Sequence, residues 1–340
     1  MPFFYFVLFM SLFCGATVVA GDVRTPVKII FDTDMDSDCD DVGALAMLHI
    51  LADRGECELL ATIVSAQNDW SARCVDAINT WYGRPDIPIG VPKGAAAKTS
   101  SKFARPIAEQ FPHDLKSPSE AADAAQLYRQ ILIQQPEQSV VIITVGDLTN
   151  IADLLKLPAE NGLPSGMDVV KKSVREWACM GGNFVGHPAK DDLKLSNNNF
   201  TGDKAGSHYA VHHWPCKLMF VGREIGSVPS GLKVGARLKE LPETHPVRMG
   251  YQHYFGGTPK DRHVADQTTI LYAAHGLRDY WDAETKGYMD LKPDNTFEWK
   301  YDHDSEQSYL LKKKIDGKPN DRAIEQAIEE LMMAAPRGKK

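Results

Sequence analysis

Short runs rich in β-branched residues alternate with helix-periodic stretches along most of this chain. That alternation predicts an α/β fold, with a single domain, a mostly parallel central sheet flanked by helices, and a C-terminal hairpin and helix. Two further observations agree. Polar loops at residues 32–41 and 145–150 directly follow predicted strands, as at the carboxyl edge of a parallel sheet. The 340 residues, 43% hydrophobic, can bury a large core, and no internal repeat or low-complexity linker divides them.

Val27 to Phe31 reads as a buried strand, and Val42 to Leu51 as the helix after it, because its apolar residues recur at helical spacing. Glu58 to Val64 is a second strand, Trp70 to Gly83 a helix, and Ile87 to Val91 a third strand stopped by Pro92. Residues 93–117, rich in Pro, Lys and Ser, are expected to form a long loop of the kind that serves as a lid. The helix from Pro118 to Gln135 takes Ser117 or Ser119 as its cap, and Ser139 to Thr144 is dense enough in Val and Ile for a central strand. Ser173 to Met180 and Lys217 to Gly222 supply further strands, and helices begin near Asp203 and Asp266. Beyond residue 284 the segments shorten, with a hairpin around Pro293-Asp294-Asn295 and a last helix from Asp321 to Met333. The domain is placed at residues 26–335, followed by a basic tail at 336–340.

A net charge of −7, and no basic patch interleaved with aromatics, argue against nucleic acid as the partner. Phe3 to Phe13 is nearly all apolar and Val18-Val19-Ala20 ends in a small residue, so residues 1–20 are expected to be a secretory signal and the protein secreted or periplasmic. A membrane anchor is the alternative, since no Lys or Arg precedes the apolar stretch. Cys39, Cys57, Cys74, Cys179 and Cys216 remain after cleavage; they demand no disulfide and give no zinc spacing.

Asp32, Asp34, Asp36, Asp38, Asp40 and Asp41 fall within ten residues. Carboxylates this close repel one another strongly in a low-dielectric cleft unless a cation joins them, and oxygen-only ligands suit a hard ion, Ca²⁺ before Mg²⁺. A solvated acidic loop is the plain alternative, made poorer by the strand and helix on either side. An EF-hand loop begun at Asp34 would need Gly at Cys39 and Glu at Leu45. A haloacid dehalogenase-type phosphatase would use Asp32-Thr33-Asp34 but meets Asp36 where Thr or Val belongs, and Ile151 where a second downstream acid should follow Gly146-Asp147.

The acidic loop, Val145 to Ala152, Met180-Gly181-Gly182, Asn197 to Asp203, and Asp266 together resemble the nucleoside hydrolase family, also called inosine-uridine preferring nucleoside hydrolases, from about Lys28 to about Gly276. The resemblance implies a Ca²⁺ held by Asp34, Asp41, the carbonyl of Val145 and Asp266, with Asp34 as general base toward an attacking water. It implies sugar contacts from Asp40, Asn68 and Asn199, with Asn199 steadying positive charge on the ring. The implied substrate is a small-molecule nucleoside or N-riboside, cleaved to base and ribose, and the family's dimers and tetramers imply a homo-oligomer.

This chain departs from the family pattern at three places. Two extra residues separate Asp34 from Asp40 and Asp41, leaving Asp38 as an added ligand or ribose contact. The Glu that grips the 5′-hydroxyl in many members falls on Asn197, and the His offered as leaving-group acid falls on Ala265. His263, His253, Tyr251 and His113 are the candidates for the missing proton donor. The leading expectation is a Ca²⁺-dependent N-glycosidic hydrolase; the alternative is a Ca²⁺-dependent sugar-binding protein without turnover.

Overall fold

The computed structural model describes Met1 and residues 25–184, 198–302 and 304–338. The proposed signal segment beyond Met1, and Asn197, lie outside the described residues.

The first half builds β1 (Val27–Thr33), α1 (Asp40–Asp53), β2 (Cys57–Val64), α2 (Ser71–Trp81), β3 (Ile89–Val91), α3 (Ala104–Gln110), β4 (Ala122–Asp123) and α4 (Ala124–Ile133). Then come β5 (Val140–Thr144), α5 (Thr149–Lys156), α6 (Gly166–Ser173), β6 (Val174–Met180), α7 (Asn198–Thr201), α8 (Lys204–His213), β7 (Lys217–Val221) and α9 (Arg223–Gly226). The chain continues with α10 (Pro246–Phe255), α11 (Ala265–His275), β8 (Trp281–Glu284), a hairpin of β9 (Tyr288–Leu291) and β10 (Phe297–Lys300), and β11 (Gln307–Lys312). A small ribbon of β12 (Lys314–Ile315) and β13 (Lys318–Pro319) precedes α12 (Asp321–Met333).

Among the described residues, nine strands form the central sheet in the order β4-β3-β2-β1-β5-β6-β7-β11-β8, and only the edge strand β8 runs antiparallel to its neighbour. Central strands are buried on both faces, so Val140–Thr144 reads as an unbroken Val-Val-Ile-Ile-Thr run. One face packs Phe31, Leu45, Ile270 and Leu331 beneath α1, α11 and α12; the other packs Ile30, Ile142, Leu127 and Ile151 beneath α4 and α5. The sequence of strands proceeds outward from β1 to β4, then returns to β5 on the far side of β1. The loops after β1 and β5 therefore diverge to opposite faces and leave a crevice between them, the usual place for a ligand in an open α/β sheet.

The fold class follows the prediction, and the hairpin turns at Asn295, which takes a left-handed φ of 71°. Three local expectations need correction. The stretch 93–117 is not a free loop: Ser101 Oγ accepts from the backbone N–H groups of Phe103 and Ala104 at 3.3 and 3.0 Å, starting α3, whose Ile107 is buried beside Phe103. α4 is capped by Asp123, whose carboxylate accepts from Gln126 N, rather than by Ser117 or Ser119. β11 was not foreseen, yet it joins the main sheet parallel to β7. All five cysteines after residue 20 are free thiols. No helix among the described residues is long and apolar enough to cross a membrane.

Candidate active site

The acidic loop starts inside β1, whose ladder continues through Asp32 and Thr33. Strand alternation turns Asp32 toward α4 and α5, where Tyr128 Oη donates to it at 2.9 Å and Asn150 Nδ2 at 3.1 Å. Thr33 faces the other way, and its hydroxyl donates to Asp41. Met35 N–H donates to Thr33 Oγ1 at 3.0 Å and to Asp41 Oδ1 at 3.2 Å, with Met35 held at a φ of 48°, a left-handed conformation uncommon for a long side chain. This turn folds the loop back over the start of α1, and Ser71 Oγ donates to Met35 O at 3.3 Å from α2.

The result is a cavity of about 310 Å³. Asp34, Asp38, Asp40, Asp41 and Asp266 line it together with Val145, Met180, Asn199, Arg223, Arg262 and His263. Oxygens of Asp38, Asp40 and Asp41 lie within 4.8 Å of one another, a group that could hold a metal ion. Asn199 Nδ2 donates to the carbonyls of Val145 at 2.9 Å and Met180 at 3.1 Å, tying the loop after β5 to the end of β6.

Burial and mutual repulsion set the electrostatics. Burial first, then Asp41, Asp38 and other acids, pushes Asp34 well above the usual carboxylate range. Asp266 and Asp40 are raised for the same reasons, and burial carries Asp41 to about 7. Asp38 alone is lowered: hydrogen bonding to Asp40 and the Arg262 guanidinium, whose Nη2 lies 2.5 Å from Asp38 Oδ2, outweigh its burial. His263 Nδ1 stands 3.8 Å from Asp40 Oδ2; burial, helped by Arg262, Arg223 and Lys233, pushes that imidazole down to about 4. Asp40 Oδ1 is buried with no hydrogen-bond partner, a vacant acceptor facing its neighbours' like charge.

The model of the inosine-uridine preferring nucleoside hydrolase family matches residues 29–289. The chain belongs to this family. No curated protein matches it by sequence, but its fold is that of solved nucleoside hydrolases. The inosine-uridine preferring nucleoside hydrolase of Bacillus anthracis is 14% identical, with a TM-score of 0.64 over 90% of this chain and 99% of that one. The purine-preferring ribonucleoside hydrolase of Gardnerella vaginalis is 14% identical, with a TM-score of 0.62 over 90% and 98%. The type III effector XopQ, solved with adenosine diphosphate ribose, is 15% identical, with a TM-score of 0.60 over 91% and 93%.

In this nucleoside hydrolase, the cavity brings together Asp34, Asp38, Asp40, Asp41, Val145, Asn199 and Asp266 from the candidate residues. Asn68 does not line it: its Nδ2 donates to Asp36 Oδ2 at 3.3 Å, and it borders a separate pocket with Lys93 and Lys98. Of the candidate proton donors only His263 lines the cavity, while Tyr251 is buried beside Gln267, 3.1 Å from its amide. The phosphatase reading fails on Asp32, which is 1% exposed and enclosed by Tyr128 and Asn150, out of reach of any substrate. Sequence reasoning passed over Arg223 and Arg262. The only signal available was the Arg-His pair four and three positions before Asp266.

Proposed function

We propose that this nucleoside hydrolase uses Ca²⁺ to cleave the N-glycosidic bond of a ribonucleoside or related N-riboside, releasing base and ribose. The observation that carries the reading is that Asp34, Asp41, Val145 and Asp266, from three distant stretches of chain, line one cavity.

The donor set fits a hard cation. Asp38, Asp40 and Asp41 bring carboxylate oxygens within 4.8 Å of one another, Asp40 Oδ1 lacks a partner, and the raised carboxylates mark a deficit of positive charge that a divalent ion would offset. Asp34, Asp41, the Val145 carbonyl and Asp266 would hold it. When bound, such an ion supplies Lewis-acid charge to a water and to a vicinal diol.

The protein's own groups do the rest. Asp34 takes the proton of the attacking water as the glycosidic bond breaks. Asp38 and Asp40 accept from the ribose hydroxyls. Asn199, fixed by its two carbonyl partners, turns its amide dipole toward the ring where positive charge develops. Asn68 contacts the sugar in this reading only if its loop moves toward the cavity, and Asn197 adds a further sugar contact. Residues 1–20 direct export, and like subunits associate.

Ala265 offers no proton to the departing base, and this favours one rival, a sugar-binding protein without turnover. Incubation with a nucleoside panel and Ca²⁺, followed by chromatography of free bases, tests the proposal. Base release supports hydrolysis; pentose binding by calorimetry with no base released supports the rival.

A further inference from the structure

We infer that the cavity accepts an N-riboside carrying an anionic group, a phosphate or a carboxylate, which Arg223 and Arg262 hold; the inference rests on the hydrolase reading and narrows its substrate class. A neutral nucleoside meets the acid floor through its hydroxyls and the cation between them. It brings no negative charge to a 310 Å³ cavity whose lining also carries two arginines.

The backbone of each arginine is held by hydrogen bonds. Arg262 pairs with Val234 in both directions, its N–H donating to Val234 O at 2.9 Å and its carbonyl accepting from Val234 N at 3.0 Å. Its guanidinium lies 5.0 Å from the centroid of the Tyr254 ring, which limits the plane of the fork. Arg223 N–H donates to Gly182 O at 3.0 Å, and its carbonyl accepts from Ser227 N at 2.8 Å. Arg223 and Arg262 line the same cavity, together with His263.

The plain alternative is that Arg262 exists to neutralise Asp38. That pair uses Nη2, while Arg262 Nε is buried with no hydrogen-bond partner. A guanidinium carries five donors in a fixed fork suited to phosphate or carboxylate, so one carboxylate contact leaves donors to spare. Arg223 adds a second guanidinium to the lining of the same cavity.

The test compares kcat/KM, with Ca²⁺ present, for adenosine and uridine, for their 5′-monophosphates, and for orotidine, which carries its carboxylate on the base. At least one anionic substrate is expected to exceed its neutral counterpart by about tenfold or more, mainly through a lower KM, as charge-assisted hydrogen bonds provide. The arm that wins, 5′-phosphate or base carboxylate, locates the group. The preference should shrink at about 0.5 M salt, and Arg223→Gln or Arg262→Gln should move the ratio toward one. Neutral ribosides cleaved as fast as both anionic kinds, or a ratio indifferent to both arginine changes, overturn the inference while leaving the hydrolase intact. If no riboside turns over, the hydrolase reading fails. Calorimetry of ribose 5-phosphate against ribose, and of orotate against uracil, then decides the charge preference, with equal binding overturning it. Should Arg262→Gln fail to fold, Arg223→Gln and the salt dependence of the unmodified protein carry the same comparison.

Discussion

The backbone N–H of Asp266 donates to Asp40 Oδ2 at 3.4 Å, joining the first turn of α11 to the first turn of α1 across 226 positions of sequence. Neither helix has a side-chain cap of its own at Val264 or Cys39. Asp40 supplies the partner that α11 lacks, and two positive helix ends face the carboxylate floor. These partial charges fall short of neutralising five carboxylates in one cavity, and the first prediction follows from that shortfall.

Ca²⁺ should raise the melting temperature in a concentration-dependent way, by the equivalent of about 2.7 kcal/mol at a hundredfold excess over Kd. Asp266→Asn keeps the shape of the side chain and removes its charge, so it should shift the titration to higher Ca²⁺. Differential scanning fluorimetry against a chelated control measures both. A melting temperature that ignores Ca²⁺ would sink the cation site.

Asp34→Asn should lower kcat by about 10²–10⁴, the range for loss of a general base, in metal-saturated protein. Its fold should persist, because the hydrogen bond this carboxylate accepts from Asp36 N at 3.2 Å is open to an amide oxygen as well. Base release and circular dichroism on the same preparation separate the two effects. Undiminished turnover would remove Asp34 from the chemistry.

In chelator, stability should fall as pH rises from about 4 to 7. Burial carries Asp32, Asp41 and Asp147 to about 7 and Asp36 to about 6, so the fold keeps protons that the unfolded chain gives up near pH 4. The stability these groups contribute is present below that value and is lost through their folded range, each at up to about 1.4 kcal/mol per pH unit. His49 and His263 oppose two of them: burial pushes their imidazoles to about 3 and about 4, so the fold refuses protons the unfolded chain takes below about 6.5. Four aspartates against two histidines set the sign. Melts at pH 5 and 7.5 should differ in chelator and differ less in Ca²⁺, which offsets only the share of the cavity's acids; a chelated protein more stable at pH 7.5 contradicts the raised carboxylates.

Gly146→Ala should disturb the site more than its size suggests. A Cβ there would crowd Ser65 Oγ and stand 2.6 Å from the backbone nitrogen of Asp34. Serine can rotate, but the Asp34 backbone must move, displacing the proposed base. A loss of about 1–3 kcal/mol in stability is expected, with a fall in kcat beyond what the stability loss explains. Wild-type kinetics in this variant would show that the approach of the two loops is not needed.

Local pattern carried much of the reading. The strand, acid loop and helix at residues 27–53 were legible because β-branched runs and helical periodicity are written in adjacent residues. α3 was not, since Pro, Lys and Ser around it mask the apolar residues that bury it against α2 and α10. Asp266 could be taken by residue type for an ordinary helix-start acid, and its link to the acidic loop came only from resemblance. Arg262 gave no local sign of its role, because its partners Asp38 and Val234 lie far away in the chain.

Taken alone, the order of residues determined an α/β sheet with acids at its carboxyl edge, since periodicity and loop chemistry act over a few neighbours. Which acids share a cavity was decided only by tertiary packing. Asp32 and Asp34 are two residues apart, yet one is enclosed behind the sheet with Tyr128 and the other lines the cavity. Asp40 and Asp266 touch because α1 and α11 pack side by side, a consequence of burying their apolar faces on the same side of the sheet.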